Sequence, residues 1–460
     1  MKHNTSTRTM ADWVQNSLLV KFFVIGLLIL VLLFVNAVMV MGLIRERKEL
    51  HQQATSEVAE KWGQMQTLTG PILAVPFAQK ATDGQVYEKM AYILPEQLRV
   101  LGSTGEEIKK RGIHKIVLFK GDITLSGSFN TAISADLQGL PLQWERARLA
   151  VGISDLTGIS QAMDVTFGNQ KVTLQSGTGA TDLLASGVSS VVSGIVPDQL
   201  DSFNIHIKLK GSNYLGFEPV GRETYVRLTS SWPSPSFTGK FITDSSSVSS
   251  QGFMASWRIL DLSRPYPQQF IGGKYTFGSP NVITHDADYA AVGNASTSFG
   301  VNLMRPVNEY TKTERAAKYA VLIIALTFMI FFFTEMLRNV RFHPLQYLLV
   351  GLALSLFYVL LLSFSEHIGF NAAYLVASAA TISLIAYYAG SAARSRALGI
   401  RLAALLSVIF GFIFTILQME DFALLAGSIG LFLALAAAMH FSRHVDWSRS
   451  KPLADDDPDE

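Results

Sequence analysis

Six apolar runs, each long enough to cross a lipid bilayer as a helix, decide what this chain can fold into. A helix rises 1.5 Å per residue, so a hydrocarbon core of roughly 30 Å takes about 20 apolar residues. Residues 22–44 form the first run. Five more follow after Lys318, over residues 319–337, 345–364, 372–393, 402–418 and 422–441. The first reads as a retained anchor, because "FVNAVMVMGLIRER" has no A-x-A cleavage pattern and the run is longer than a signal peptide's apolar region. Composition agrees: 49% of residues are hydrophobic and 16% charged, against roughly 25% charged in soluble domains. Lipid is therefore the first expected partner.

Lys and Arg in the short connections set the expected orientation, because basic loops stay in the cytoplasm. Lys2, Arg8 and Lys21 precede the first run; Arg338 and Arg341 follow the second; Arg394, Arg396 and Arg401 follow the fourth; Arg443, Arg449 and Lys451 follow the sixth. All fall on one side. The opposite short loops hold Glu366 and His367, then Glu420 and Asp421, with no Lys or Arg. Both ends should be cytoplasmic and residues 45–318 external. Arg45, Arg47, Lys48, Lys312, Arg315 and Lys318 run against this pattern, but long domains translocate largely regardless of charge.

The external region changes period. Residues 45–65 extend the first run as a helix, with Leu50, Ala54, Val58 and Trp62 at helical spacing, and Gly70 and Pro71 are expected to end it. Beyond lies alternation: Phe203, Ile205, Ile207 and Leu209; Phe253, Ala255, Trp257 and Ile259; Phe299, Val301 and Leu303. Such residues mark half-buried strands. "SSWPSPSF" and "LKGSNYLG" supply turn chemistry between them. The expected fold is thus a membrane protein of six transmembrane helices, one N-terminal and five C-terminal, around a large inserted β-rich domain. That domain should be antiparallel and sandwich-like, with a few short helices over residues 155–195. Cytoplasmic tails are expected at 1–21 and 442–460, the latter an acidic solvated end. With no cysteine, the domain must hold together by its core alone. A net charge of +2 with scattered basic residues gives no reason to expect a nucleic-acid partner.

Several segments together resemble the CreD family of bacterial inner-membrane proteins. They are "GPILAVPF" (70–77), "GFMASWRILDLSRPYPQQF" (252–270), "FGVNLMRPVNEYTKTERAAKYAVL" (299–322), "FFFTEML" (331–337) and "HPLQYLLVGLALSLFYVLLLSFSEHIGFNAAYL" (343–375). The resemblance covers nearly the whole chain, in order. It implies a role in cell-envelope integrity, colicin tolerance and stress response, with expression under the CreBC two-component system. It brings no catalytic residues.

Four residues stand out as candidates for interaction or coupling. Glu366 and His367 end the third run at its outer lip, where they can simply anchor a helix end or can dock against the external domain. Pro344 suits the first turn of that helix, and Asn371 is placed to cap the next after a six-residue loop. Glu335 lies three residues before Arg338, so local pairing competes with a transport role. His440 and His444 have metal-ligand spacing without a third ligand, and "THDADY", with His285, Asp286 and Asp288, reads as a turn. No G-x-S-x-G, H-E-x-x-H or G-x-x-x-x-G-K-[ST] motif occurs, so no catalytic residue, cofactor or metal is assigned. The reading that follows is a non-enzymatic envelope protein whose periplasmic domain meets a protein, lipid or wall partner. The rival is a transporter or lipid-handling protein using the helical bundle, in which Asn36 is the main polar residue at a span centre. An envelope hydrolase is the third.

Overall fold

A computed structural model describes residues 18–80, 85–277, 297–303, 309–338, 342–419 and 422–443. The turn at His285, Arg341, Glu420, Asp421, His444 and the acidic tail lie outside the described residues. The chain divides into a β unit, Gln52–Pro306, and a helical unit made of Met1–His51 with Val307–Glu460.

The helices are α1 (Leu18–Val35), α2 (Met41–Trp62), α3 (Glu309–Lys318), α4 (Ala320–Arg338), α5 (Pro344–Ile368), α6 (Phe370–Ala392), α7 (Arg396–Gln418) and α8 (Ala423–Ser442). A π-helical turn, Asn36–Val40, joins α1 to α2, so one helical run continues over Phe23–Trp62. Asn36, conspicuous in the sequence, opens that turn. Among the described residues five helical runs are long and apolar enough to span a bilayer, one N-terminal and four C-terminal; within α8, Leu425–His440 forms a shorter apolar helix.

In the helical unit α5 is central. Leu354, Phe357, Tyr358 and Leu361 are fully buried, and the Phe357 ring lies 5.5 Å from Tyr374 of α6 and 5.0 Å from Phe410 of α7. Gly351 lets α1 come close, since a Cβ there would sit 2.1 Å from Leu32 Cδ1. Exposed Phe23, Leu27, Phe34, Leu352, Leu356 and Phe432 give the outer faces the apolar character that lipid requires.

Pro344 starts α5 as expected, with His343 at the cap: its Nδ1 accepts from Leu345 N–H at 3.2 Å, and Gln346 Oε1 accepts from His343 N–H at 3.0 Å. The far end differs from expectation. No six-residue loop follows, because α5 runs on to Ile368 and Gly369 alone, at φ +80°, turns the chain into α6. Only glycine takes that backbone conformation freely. Asn371 is inside α6 and does not cap it; its Oδ1 accepts from Gln418 Nε2 of α7 at 2.8 Å.

The strands of the β unit are β1 (Gln66–Lys80), β2 (Val86–Ile93), β3 (Gln97–Arg111), β4 (His114–Asn130), β5 (Arg148–Ile153), β6 (Asp164–Phe167), β7 (Gln170–Thr173), β8 (Gln175–Ser176), β9 (Gly187–Val191), β10 (Leu200–Ser212), β11 (Tyr214–Phe217), β12 (Glu223–Ser230), β13 (Ser236–Gly239), β14 (Ser245–Ser249), β15 (Gly252–Leu260), β16 (Gln269–Ile271) and β17 (Phe299–Asn302). One sheet runs β13-β17-β11-β1-β5-β9-β8, with β2 also on β1 and β16 on β2. The other runs β14-β15-β12-β3-β4-β10-β6-β7. Their facing side chains make one core. Trp257 of the second sheet packs against Phe299 and Phe237 of the first, with centroids 5.6 and 5.8 Å apart. The alternation read from residues 203–209, 253–259 and 299–303 is the buried face of β10, β15 and β17.

Four expectations are corrected. The sheets are not wholly antiparallel: β1 pairs β11 and β3 pairs β12 in parallel. The helix ends at Gly63 rather than at Gly70; Gly63, at φ +141°, donates its N–H to Ala59 O at 2.8 Å, while a Cβ there would meet Lys210 O at 2.7 Å. Gly70 and Pro71 fall inside β1, where the register with β5 shifts between Thr69 and Ile72, and such an irregularity tolerates a residue with no N–H. Residues 155–195 hold a single 3₁₀ turn, Leu156–Gly158, and the short strands β6 to β9 instead of several helices. "LKGSNYLG" is mostly strand: only Asn213, at φ +58°, breaks it, and there the chain passes from β10 in one sheet to β11 in the other.

Candidate functional site

The two acidic candidates belong to opposite ends of α5. Glu335 stands in the last turns of α4, and its Oε2 accepts a hydrogen bond from the Tyr347 hydroxyl, in the first turns of α5, at 3.0 Å. Tyr347 is buried, its ring 5.7 Å from Phe328 and 6.1 Å from Phe331. The side chain of Arg338, proposed as the partner of Glu335, lies outside the described residues. From Tyr347 to Glu366 the helix climbs 19 residues, about 28 Å, so the two carboxylates do not share a site.

At the other end Glu366 and His367, adjacent in sequence, part company. His367 is exposed in the last turn of α5, where a charged imidazole would favour the helix dipole. The Glu366 side chain is only 8% exposed. Its Oε1 accepts from the Tyr310 hydroxyl of α3 at 3.1 Å, and Arg47 Nε of α2 lies 3.9 Å away. The Tyr310 ring is in turn 5.9 Å from that of His51. Below Glu366, Ser365 is wholly buried and donates to Leu362 O at 2.8 Å, which closes the helix end.

One carboxylate thus holds two segments that flank the inserted β unit in sequence, residue 47 before it and residue 310 after it. The hydrogen bond dominates. A hydrogen bond to a buried carboxylate is worth about 1.5–3 kcal/mol, whereas a half-exposed arginine at 3.9 Å contributes about 0–1 kcal/mol. The arrangement is a clasp that holds position. Sequence reasoning found Glu366 but missed both partners. In sequence Arg47 is only an exception to the charge pattern, and Tyr310 sits in "VNEYTKTERAAKYAVL", 56 residues away from Glu366.

A second polar assembly lies in the β unit. The Trp62 ring at the end of α2 faces three lysines from three adjacent strands: Lys109 Nζ of β3 at 3.9 Å, Lys210 of β10 at 4.8 Å and Lys120 of β4 at 5.4 Å from its centroid. Cations over the indole face are attracted by its quadrupole. Glu107 Oε2 lies 3.1 Å from Lys120 Nζ. These residues are scattered over 149 positions of sequence, and only the pairing of β3, β4 and β10 assembles them.

A third is sealed inside. Glu218, 4% exposed, accepts from Thr297 Oγ1 at 2.7 Å, and Thr297 is 3.2 Å from the Tyr266 hydroxyl. Burial pushes the nearby Tyr214 phenol up to about 12; the Glu218 charge adds to this and a bond with Ser298 opposes it. Arg264 is buried beside this network, its guanidinium over the Tyr266 ring at 4.5 Å and Nη1 donating to Tyr266 O at 2.8 Å; desolvation lowers its pKa. Arg264 Nε is buried without a hydrogen-bond partner among the described residues, while the Glu218–Thr297–Tyr266 chain is closed, and a closed polar chain of this kind fixes local structure.

Comparison with known proteins places this architecture. A crystal structure of a mutant M1 zinc metallopeptidase from Deinococcus radiodurans, bound to a Tyr-Ser-Ala substrate, is 10% identical, covers 36% of this chain and 39% of its own, and has a TM-score of 0.20, too low to carry any argument. The inner membrane protein CreD of Escherichia coli (strain K12) is 31% identical over 423 residues, 90% of this chain and 91% of that one. Residues 17–448 match the family described as inner membrane protein CreD. The chain belongs to the CreD family of inner membrane proteins.

Proposed function

We propose that this inner-membrane protein contributes to cell-envelope integrity, colicin tolerance included, as a non-enzymatic binding protein. Its β unit faces the periplasm and both ends of the chain face the cytoplasm. The observation that carries the reading is the weight given to the β unit, residues 52 to 306, or 255 of 460. A two-sheet body of that size with its own core is a recognition surface in proportion to the helices that hold it. The Glu366 clasp supports the same reading, since it fixes the two segments flanking that body against the end of α5. The charge pattern of the short loops supports the orientation.

The absence of native cysteine makes the test clean. Single cysteines at Lys115 and at Asp421 should react with a membrane-impermeant maleimide in intact spheroplasts. Reaction only after lysis would turn the arrangement inside out. Photo-crosslinkers placed on the β unit in living cells should then trap one discrete partner, and purified vesicles should sustain no substrate flux. A robust flux abolished by Glu335→Gln, with the protein still folded, would replace this reading with a transporter.

A further inference from the structure

Two cavities of the β unit share one wall. The first, about 310 Å³, is lined by Ser103, Lys120, Asp122, Ser160, Lys208 and Lys210, with Gly105 in its lining. A Cβ added at Gly105 would meet nothing within 4 Å, so that position is open to a ligand. Among the described residues Lys208 is exposed and forms no ion pair within 4.0 Å; the one lining carboxylate, Asp122, stands directly opposite it on β4 and lies 3.5 Å from His206 Nε2, so three lysines share one carboxylate in this groove. Serine hydroxyls and lysine ammoniums together are the donor set that a phosphate takes.

The second cavity, about 300 Å³, is apolar: Leu156, Ile159, Ala162, Met163, Leu174 and Val188 dominate it. Residues 159–161 separate the two. Ile159 bridges Leu209 and Ser160 N–H donates to Lys208 O at 3.1 Å, which pins this extended segment along β10. Successive side chains of an extended segment point to opposite sides, so Ser160 enters the basic groove while Ile159 and Gln161 line the apolar cavity. Each cavity is at the small end of ligand sites. Lying on either side of residues 159–161, they match one molecule that carries an anion and a hydrocarbon chain and passes over that segment.

We propose that the β unit binds an anionic phospholipid, its phosphate among Lys120, Lys208, Lys210 and Ser160 and one acyl chain in the cavity lined by Leu156, Ile159, Met163, Leu174 and Val188. This deepens the proposed function by naming the ligand class, and rests on that reading for the compartment in which the lipid is met.

The full-length protein in neutral-detergent micelles is mixed with phosphatidylglycerol bearing a photoreactive acyl chain, irradiated, and the labelled peptide identified. Label is expected within residues 156–188. The phosphatidylcholine analogue with the same chains should label about tenfold less, the equivalent of one charge-assisted contact. Lys208→Glu should bring phosphatidylglycerol down to that level, and Ala162→Trp, at an exposed rim position, should abolish the label. Equal labelling by the two lipids, label confined to the helical unit, or label unchanged in both variants when their near-ultraviolet dichroism is native would overturn the proposal. So would competition by free glycerol phosphate as effective as by the lipid, which would leave a soluble-phosphate groove. A discrete protein captured in cells with no lipid label on residues 156–188 would remove this inference and leave the proposed function standing.

Discussion

Replacing Glu366 should test the clasp, because its two partners contribute by different physics. The Tyr310 hydroxyl donates to a nearly buried carboxylate at 3.1 Å, while Arg47 Nε is 3.9 Å away and its side chain is 46% exposed. A bond of the first kind contributes about 1.5–3 kcal/mol, and a screened pair of the second about 0–1 kcal/mol. Glu366→Gln keeps an oxygen acceptor and loses the charge, so a destabilisation of about 1–2 kcal/mol is expected; Glu366→Ala, which removes the acceptor, should cost about 2–3 kcal/mol. Double-mutant cycles in reversible unfolding of the full-length protein in mixed micelles separate the terms. Coupling of Glu366 to Tyr310, measured with Tyr310→Phe, should be about 1.5–3 kcal/mol and indifferent to salt. Coupling to Arg47, measured with Arg47→Gln, should stay below about 1 kcal/mol and vanish near 1 M salt, where the screening length is about 3 Å. An Arg47 coupling larger than that of Tyr310, or one that survives high salt, would refute the ranking and make the site an ion pair.

The β unit offers three more tests. Gly127→Ala should prevent native pairing of β3 with β4, because its Cβ would lie 1.9 Å from the Gln97 carbonyl oxygen, whereas Gly105→Ala meets nothing and should unfold within about 0.5 kcal/mol of the parent in denaturant titrations. Trp257→Ala, which opens a cavity at a fully buried position between the sheets, should cost about 3–5 kcal/mol by the same titration; a loss below about 1 kcal/mol would mean that the sheets do not share that core. Alkaline pH should destabilise the β unit through Tyr214. Its folded pKa of about 12 lies above the usual tyrosine value, so the stability carried by the neutral phenol is complete below about pH 10, falls as pH rises from there and is gone above about 12. A loss on the order of 3 kcal/mol is expected over that interval. Tyr214→Phe should flatten this slope by one proton in pH-dependent unfolding, and an unchanged slope would mean that Tyr214 titrates normally.

Where a signal is periodic and local, the residues could be read in order. Phe203, Ile205, Ile207 and Leu209 declare a buried strand face because every second side chain points inward, and α5 declares itself by Pro344 and a long apolar run. Single-residue backbone choices are harder. Gly63, Gly70 and Gly369 look alike in sequence, yet one stops a helix, one lies in an irregular strand and one reverses the chain between two spans. What distinguishes the first two is the backbone that crowds them, Lys210 O for Gly63 and Ala150 O for Gly70, and those neighbours come from strands far along the chain. The parallel pairing of β3 with β12 is of the same kind, as no turn between adjacent strands specifies it.

The sites follow the same division. Glu335 and Glu366 were conspicuous because acids are rare at the edges of apolar spans. Their partners were not, since Tyr347 looks like any aromatic near a helix start and Arg47 like any basic residue beside a membrane. Lys120, Lys208 and Lys210 are ordinary solvated strand residues until β4 and β10 align Lys120 directly opposite Lys210. Two like charges placed opposite each other on paired strands destabilise a sheet by a few tenths of a kcal/mol or more. The fold here partly offsets that cost with the Trp62 face and Glu107, which engage Lys120, and with the Trp62 face alone for Lys210. Lys208, one step along the same face, has neither. Lys208 stands instead directly opposite Asp122 of β4, so the groove is lined by three lysines and one aspartate, an excess of positive charge that an external anion would balance.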